Sequence, residues 1–465
     1  MDQSASAIAP ELLPEYAERV LSALEDAGYE AWIVGGWVRD ALRGDAAHDV
    51  DITTSAHWQE TERILRGSGI EVHETGTKHG TVTAVVCGQP IECTTYRTEG
   101  TYTDMRHPDS VTFVDNVRED LARRDFTINA MAWHPERGLL DPFRGREDLA
   151  HGLIRAVGDP KRRFSEDALR ILRAVRFAAR FGFAIEPQTQ KALVACASEL
   201  KEIAQERRGQ EIAGILASGR TSWALMAEPE VMRAAAPELE QLDEVSYART
   251  AACLAAVEEL SGGVASSSLR WAALFSEAGP KGTKRALKRM AIGIDTAQEA
   301  ASILKLGAQI LESMDKEPCW TRQESYGLAV TAERACAHEG IALSLCAAAY
   351  AGAHLLAEAA LGEVARGRAE QMLQAIDSIR ADIRGIAGEG APLRVQDLAV
   401  GGSDLMDELS VPAGPELGKI LNTLFSLVVA GALANKREAL LAAARHMQQS
   451  AAMHDEGRDE NNLII

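Results

Sequence analysis

The chain has 465 residues, 25% of them charged, and a formal net charge of −19. That length suggests about three domain-sized units with ample core-forming material. Acidity of this size excludes a broad basic surface, so any nucleic-acid contact must be confined to a local positive face.

The candidate basic patches are Arg123-Arg124, Lys161-Arg162-Arg163, the series Arg170, Arg173, Arg176, Arg180, and Arg207-Arg208, all in the first half. Seven cysteines (Cys87, Cys93, Cys196, Cys253, Cys319, Cys336, Cys346) are odd in number and lack a Cys-X-X-Cys pair. That usage fits reduced thiols of a cytoplasmic protein better than disulfides or zinc ligands. Residues 1–10 have no basic start and no apolar core, so they read as a disordered N-terminus and not a signal peptide.

Along the chain, Glu11 to Ala27 has helical spacing (Leu12, Leu13, Tyr16, Val20, Leu24) and ends at Gly28. Ala31 to Thr54 is the organising stretch. It reads as a buried strand (Trp32 to Val34), a Gly35-Gly36 turn, a short helix with Arg39 and Asp40, and a second strand bearing Asp49 and Asp51. Carboxylates two apart on a strand face the same way and can share divalent cations. A glycine pair opening a helix leaves backbone N–H groups open to a bulky anion, with Arg39 one turn in to add charge. A Gly-Gly can be only a tight turn, and an Asp-X-Asp only a solvated strand end. In this order and this close, they point to nucleotidyl transfer.

His57 to Arg66 reads as a helix, and Glu71 to Thr75, Thr81 to Cys87 and Ile91 to Arg97 as strands, the last two a hairpin across Gly88-Gln89-Pro90. Glu92 is either a third metal-site carboxylate or an edge charge. Thr98 to Ser110 has no apolar periodicity and reads as a long polar loop, functional or disordered. Val117 to Trp133 carries Arg124, Asp125 and Asn129 among apolar residues: a capped helix with surface charges, or a ribose and phosphate clamp. Asp141 to Gly145 marks a turn.

From Ser165 the period becomes 3.6. Ser165 to Gly182 reads as one helix with a Ser N-cap, placing Asp167 and Arg170 on one face and continuing it with Arg173 and Arg176. Leu169, Leu172, Val175 and Phe177 claim the rest, leaving the charged face to a ligand or to solvent. Helices follow at about Pro187 to Ile203 and Glu206 to Ala217, then an Ala/Leu-rich series runs to Gln448 without an internal repeat. Ala342 to Leu361 is apolar but interrupted by His354 and Glu358, which fits a buried helix better than a membrane span. Ser450 to Ile465 is polar, acidic and expected to be disordered.

Five segments, Ile33 to Asp51 (IVGGWVRD…DVD), Arg123 to Ala132 (RRDFTINAMA), Asp141 to Gly145 (DPFRG), Ser165 to Phe177 (SEDALRILRAVRF) and Glu206 to Glu211 (ERRGQE), resemble in order the motifs of one enzyme group. That group is the class II CCA-adding tRNA nucleotidyltransferases and bacterial poly(A) polymerases, within the DNA polymerase β superfamily. Gly402 to Met406 and Gly414 to Gly418 look like its tail segments. Some relatives carry a His-Asp phosphohydrolase signature where this chain has Leu269 to Ala278; that pair is missing here, so no such activity is expected.

The resemblance implies an α+β chain: a polymerase-β-type mixed sheet with helices at residues 11–158, a helical nucleotide-recognition segment at 159–225, an elongated all-α tRNA-binding body and tail at 226–449, and a disordered end at 450–465. It implies Asp49 and Asp51 as ligands of two Mg2+ ions with Glu92 completing the shell. Gly35, Gly36 and Arg39 would cradle the triphosphate, and Arg124, Asp125 and Asn129 would grip phosphate and ribose. Asp167 and Arg170 would read the amino donor and ring-nitrogen acceptor shared by cytosine and adenine, an edge that uracil and guanine reverse. Arg173 and Arg176 would hold that reading face. The expected partners are tRNA, CTP and ATP, with no membrane, in a cytoplasmic monomer or homodimer. An A-adding enzyme and a poly(A) polymerase remain open. The Thr98 to Ser110 loop disfavours a CC-only enzyme, since the family's CC-adders lack it, and a non-catalytic RNA-binding protein would have lost the carboxylates.

Overall fold

The computed structural model describes residues 8–47, 49–100, 111–260, 266–316 and 320–459. The chain divides into two compact units, Met1–Gln241 and Leu242–Ile465.

The first unit opens with α1 (Glu15–Asp26), which buries Ala17, Val20, Leu21 and Leu24 at helical spacing. It starts later than the pattern predicts because Pro14 fits only ahead of the first turn; Pro10–Leu12 forms a separate 3-10 turn instead. Ile8 is buried in the core, so residues 8–10 belong to the fold, and 1–7 lie outside the described residues.

Strand β1 (Ala31–Val34) leads into α2 (Gly36–Arg43), then come β2 (Asp51–Thr54), α3 (Trp58–Gly67), β3 (Glu71–Gly76), β4 (Thr81–Val86) and β5 (Gln89–Thr95). The β4–β5 register pairs Val86 with Gln89, so the hairpin turns at Cys87-Gly88 and not at Gly88-Gln89-Pro90. Both turn residues have positive φ, 52° and 76°, the twist that a two-residue hairpin requires. Pro90 sits in β5 where β2, which pairs only from Glu92 on, leaves one side open.

A short ribbon follows, β6 (Arg97–Glu99) on β7 (Val111–Phe113), so Thr98 and Glu99 are strand where a loop was predicted; residues 101–110 lie outside the described residues. Next are α4 (Val117–Ala122), a 3-10 turn at Thr127–Asn129, β8 (Ala132–His134) and β9 (Gly138–Leu140). The predicted helix over 117–133 is thus cut short, because Asp125 accepts from the Phe126 N–H and turns the backbone out.

The seven strands order as β3-β4-β5-β2-β1-β8-β9. Alternation gives the sheet two faces. Ile33, Ile52, Ile91 and Cys93 join Leu21, Leu24 and Leu65 in the main core, while Trp32 and Val34 pack with Tyr96, Val117 and Leu121 on the other side.

Helix α5 (Gly145–His151) and β10 (Leu153–Ile154) lead to α6 (Pro160–Glu166) and α7 (Leu169–Phe181), and β11 (Ala184–Ile185) pairs in parallel with β10. The single helix predicted from Ser165 is therefore two. Asp159 caps α6 through the Arg162 N–H, with Pro160 at the first helical position, and Ser165 is interior. The chain then breaks at Asp167, which is extended (φ −142°, ψ 104°) and accepts from the Leu169 N–H. An aspartate that can satisfy the next helix's first N–H groups competes with continuing the previous one.

The unit closes with α8 (Pro187–Cys196), α9 (Gln205–Ala217), α10 (Thr221–Ala227), α11 (Pro229–Ala235) and α12 (Pro237–Glu240).

The second unit is helical throughout its described elements: α13 (Glu244–Leu260), α14 (Ser267–Leu274), α15 (Gly279–Arg289), α16 (Ile294–Lys316), α17 (Arg322–Ala335), α18 (Gly340–Ala360), α19 (Arg366–Gly388), α20 (Gly402–Leu409), α21 (Pro415–Val429) and α22 (Arg437–Asp459). The apolar α18 is long enough to cross a membrane, but it packs against α13, α16, α17 and α19 and buries Leu343, Ala347, Tyr350 and Leu355. Residues 450–459 continue α22, against the expected disorder, with no proline there to end the helix. All six described cysteines are free thiols.

Gly145 shows how tightly the turn around the site is packed. A Cβ there would lie 2.1 Å from the Thr127 carbonyl oxygen, which is backbone and cannot swing aside. Gly145→Ala is expected to destabilise the chain by about 1–3 kcal/mol, read from the urea midpoint. An unchanged midpoint would show that this approach is not tight.

Candidate active site

A cavity of about 550 Å3 in the first unit gathers nearly every residue singled out from the sequence. Val34, Gly35, Gly36 and Arg39 line it from β1 and α2, Asp51 and Ile52 from β2, and Glu92 and Thr94 from β5. Arg123, Arg124, Asp125 and Asn129 form a second wall; Asp167, Leu169, Arg170, Arg173, Arg176, Phe177, Arg180 and Arg207 form the third. Asp49 is the exception. It lies in the exposed coil before β2, not on the strand, because β1 ends at Val34 opposite Asp51 and offers Asp49 no partner.

The sheet side is acidic. β2 and β5 run parallel with Asp51 beside Glu92, so two carboxylates from distant segments emerge on one face. Burial pushes Asp51 up to about 6; Arg124 opposes this, while Glu92 and Asp49 add to it. Gly35 has φ 73° and ψ −129°, which side chains rarely adopt, and a Cβ there would meet Arg124 Nη1 at 3.0 Å and Asp51 Oδ2 at 3.7 Å. The glycine thus lets a cation and a carboxylate converge over the start of α2, whose first turn has no side-chain cap. Among the described residues no group of three or more His, Cys, Asp or Glu side chains is close enough to hold a metal ion by itself.

Eight arginines line the cavity, seven of them on the two walls opposite the sheet, and most are already paired. Arg39 is buried; it bonds Asp40 through Nε at 2.8 Å and Nη2 at 2.9 Å, donates to Asn129 Oδ1 at 2.7 Å and lies over the Phe177 and Phe181 rings. It is a structural link at the cavity wall rather than a loose charge, because a buried guanidinium has to be paired. Asp125 accepts from Asn129 Nδ2 at 3.0 Å and from Arg173 at 2.7 and 2.9 Å. Burial would raise its pKa, but Arg173 and these hydrogen bonds hold it down at about 2. Arg176 pairs with Glu211 at 2.7 Å.

Asp167 and Arg170 do not share a helical face. Asp167 stands in the break between α6 and α7 with Oδ2 3.2 Å from Arg207, whereas Arg170 on α7 bonds Glu166 at 2.8 Å and the carbonyls of Arg163 and Arg123. Both still line the cavity.

Two contributors escaped the sequence reading of the site. Arg207 was seen only as a basic residue, although its ERRGQE segment was a usable signal. Asp120 was not singled out. It is fully buried, accepts from Arg123 at 2.7 and 3.0 Å, lies 3.6 Å from Arg124, and receives the Arg97 backbone N–H. Burial works against its charge, yet Arg123 and Arg124 lower its pKa overall, so it anchors both arginines of the wall as an anion.

The raised Asp51 pKa has a measurable sign. Between its ordinary 3.8 and about 6 the folded chain holds a proton that the unfolded chain has released. Stability without added divalent ions therefore falls as pH rises through that window. Asp125 contributes no slope there, because its depressed pKa costs stability only as pH falls below 3.8 toward 2. Asp51→Asn is expected to flatten the slope in thermal unfolding between about pH 4 and 6. A slope unchanged in the variant would remove Asp51 as its source.

Comparison with known proteins places this geometry in a family. Residues 31–155 match the poly(A) polymerase head domain, 182–243 match the "Probable RNA and SrmB- binding site of polymerase A", and 368–444 match tRNA nucleotidyltransferase domain 2. A CCA-adding enzyme of Geobacillus stearothermophilus is 33% identical over 91% of this chain and 94% of its own length. One from Leuconostoc mesenteroides is 50% identical over 45% of this chain, and that match spans about half of the relative's length, 51%. The crystal structure of a Bacillus stearothermophilus CCA-adding enzyme in complex with CTP is 29% identical with a TM-score of 0.66, covering 95% of this chain and 98% of that one. Similarity sustained across both units means that the chain belongs to the family of CCA-adding enzymes, nucleotidyltransferases built on a poly(A)-polymerase-type head.

Proposed function

We propose that this chain adds C, C and A to the 3′ end of tRNA, using CTP and ATP and releasing pyrophosphate. The observation that carries the reading is the single cavity in which an acidic sheet face, an uncapped helix start and the Asp167, Arg170, Arg207 group meet, in a member of the CCA-adding family.

The acidic face suits Mg2+. Its donors are hard carboxylate oxygens, with the Arg124 guanidinium converging with Asp51 over Gly35, and Mg2+ is commonly held by one or two carboxylates plus substrate phosphates. Asp51, Asp49 and Glu92 would hold it. When bound, the metal would lower the cost of deprotonating the RNA 3′-hydroxyl and neutralise charge on the departing pyrophosphate.

The chain's own groups supply the rest. Gly35 and Gly36 let the triphosphate approach the first N–H groups of α2, while Arg124, held by Asp120, adds charge. Asp125 and Asn129 take the ribose side. Asp167 accepts from the exocyclic amino group of cytosine or adenine. Arg170 donates to the ring nitrogen, giving up the 3.3 Å bond to the Arg123 carbonyl, which is longer than its bonds to the Arg163 carbonyl and Glu166. Uracil and guanine would leave buried donors facing donors, at about 1–3 kcal/mol per group. Free thiols agree with a cytoplasmic setting.

The test is incubation with tRNA lacking its 3′ end and each labelled NTP, read at nucleotide resolution. Ordered C, C, A is expected; A alone or a poly(A) ladder would assign the chain to the other branches. Asp49→Ala and Asp51→Ala should each reduce addition at least 1,000-fold, on the order of 4 kcal/mol of barrier, while tRNA binding stays near parental. Activity in the double variant would sink the metal assignment. Asp167→Ala and Arg170→Ala should relax discrimination against UTP and GTP by roughly 10–100-fold in single-turnover assays. Unchanged discrimination would leave both residues structural.

A further inference from the structure

The second unit contains a cation-rich helix that the chemistry above does not use. α15 presents Lys281, Lys284, Arg285, Lys288 and Arg289 to solvent, while Thr283, Ala286, Leu287 and Met290 are buried. The charged positions recur every three or four residues and so form one stripe, opposite the side that packs on α16. This stripe lies outside the basic patches noted in the first half of the sequence.

No carboxylate occurs between Ala278 and Ile294. Of the flanking carboxylates, Glu277 pairs with Arg249 at 3.1 Å, Asp295 stands exposed in the first turn of α16, and Glu299 accepts from Ser268 Oγ at 2.5 Å. Lys284 donates to the neutral Gln298 at 2.5 Å. Among the described residues no ion pair joins Lys281, Arg285 or Lys288 to a carboxylate. Helix formation accounts for only part of this arrangement, since Lys288 and Arg289 in the last turn suit the dipole but the rest of the stripe does not. Cations three and four apart repel, and Lys281 in the first turn opposes the positive end of the helix dipole. In a chain of net charge −19, a solvated face would ordinarily mix signs.

We propose that the α15 stripe docks on the sugar-phosphate backbone of the RNA acceptor. The proposal rests on the tRNA reading above and adds a surface to it. From Lys281 to Arg289 the helix rises about 12 Å, the length of roughly three phosphates of one strand. Lysines and arginines that contact phosphates read charge and not sequence, as an enzyme acting on many acceptors needs. A membrane fits less well. An amphipathic helix enters lipid by its apolar face, and here that face is buried.

The experiment compares the parent with K281Q/R285Q/K288Q, which keeps side chains of good helix propensity. At about 0.15 M salt the KM for tRNA should rise roughly tenfold, and the slope of log KM against log salt should fall by about 2, with kcat and the KM for CTP unchanged. A tRNA KM within twofold of the parent and an unchanged slope would overturn the proposal. Parental binding to phosphatidylserine vesicles that the variant loses, with tRNA kinetics intact, would overturn it in favour of a membrane. A parent that extends no RNA would instead defeat the functional reading. If circular dichroism shows the triple variant unfolded, the single variants K281Q, R285Q and K288Q decide: each should raise KM about twofold, and no rise in any of them counts against the stripe.

Discussion

The first unit depends on one buried polar chain: Arg39 to Asn129, Asn129 to Asp125, and Asp125 to Arg173. It joins α2, the 3-10 turn after α4 and α7, three elements far apart in sequence that make three walls of one cavity. Each member is more than nine-tenths buried except Arg173 and so has to be satisfied. Breaking such a chain leaves a charge without a partner, which costs about 3–5 kcal/mol. The same bonds that assemble the walls therefore also fix their spacing.

The fold also settles how the charges of the motifs are used. Arg39 and Asp125 read, in sequence, as groups awaiting a ligand, yet the fold spends much of their bonding on each other's neighbours. What faces the cavity with charge to offer is a polarised pair of surfaces. Asp51 and Glu92 stand on the sheet, and arginines anchored by Asp120, Asp125, Asp167 and Glu211 stand across from it. Pre-paired arginines are held in place before a triphosphate arrives, so little ordering is left to be done on binding.

Much was legible in the sequence because it depends on local periodicity and local chemistry. The β1–Gly-Gly–α2 unit, the alternation of β4 and β5, the burial of α18 and the cavity residues around Arg124 to Asn129 all follow from spacing, glycine conformation and apolar pattern. The break at Asp167 was also local, but it was misread. A carboxylate that caps the next helix looks, in a helical pattern, like one more polar position.

What only the tertiary structure decided is which distant residues meet. That Glu92 stands beside Asp51 depends on β5 pairing in parallel with β2, a register no local window contains. That Arg207 reaches Asp167, that Asp120 gathers Arg123 and Arg124 beneath the wall, and that Arg39 is committed to Asn129 are likewise contacts between separate segments. The sequence by itself determined the family, most of the elements and most of the residues that line the cavity. Packing decided their partners, because hydrogen bonding and desolvation depend on neighbours in space and not on neighbours in the chain.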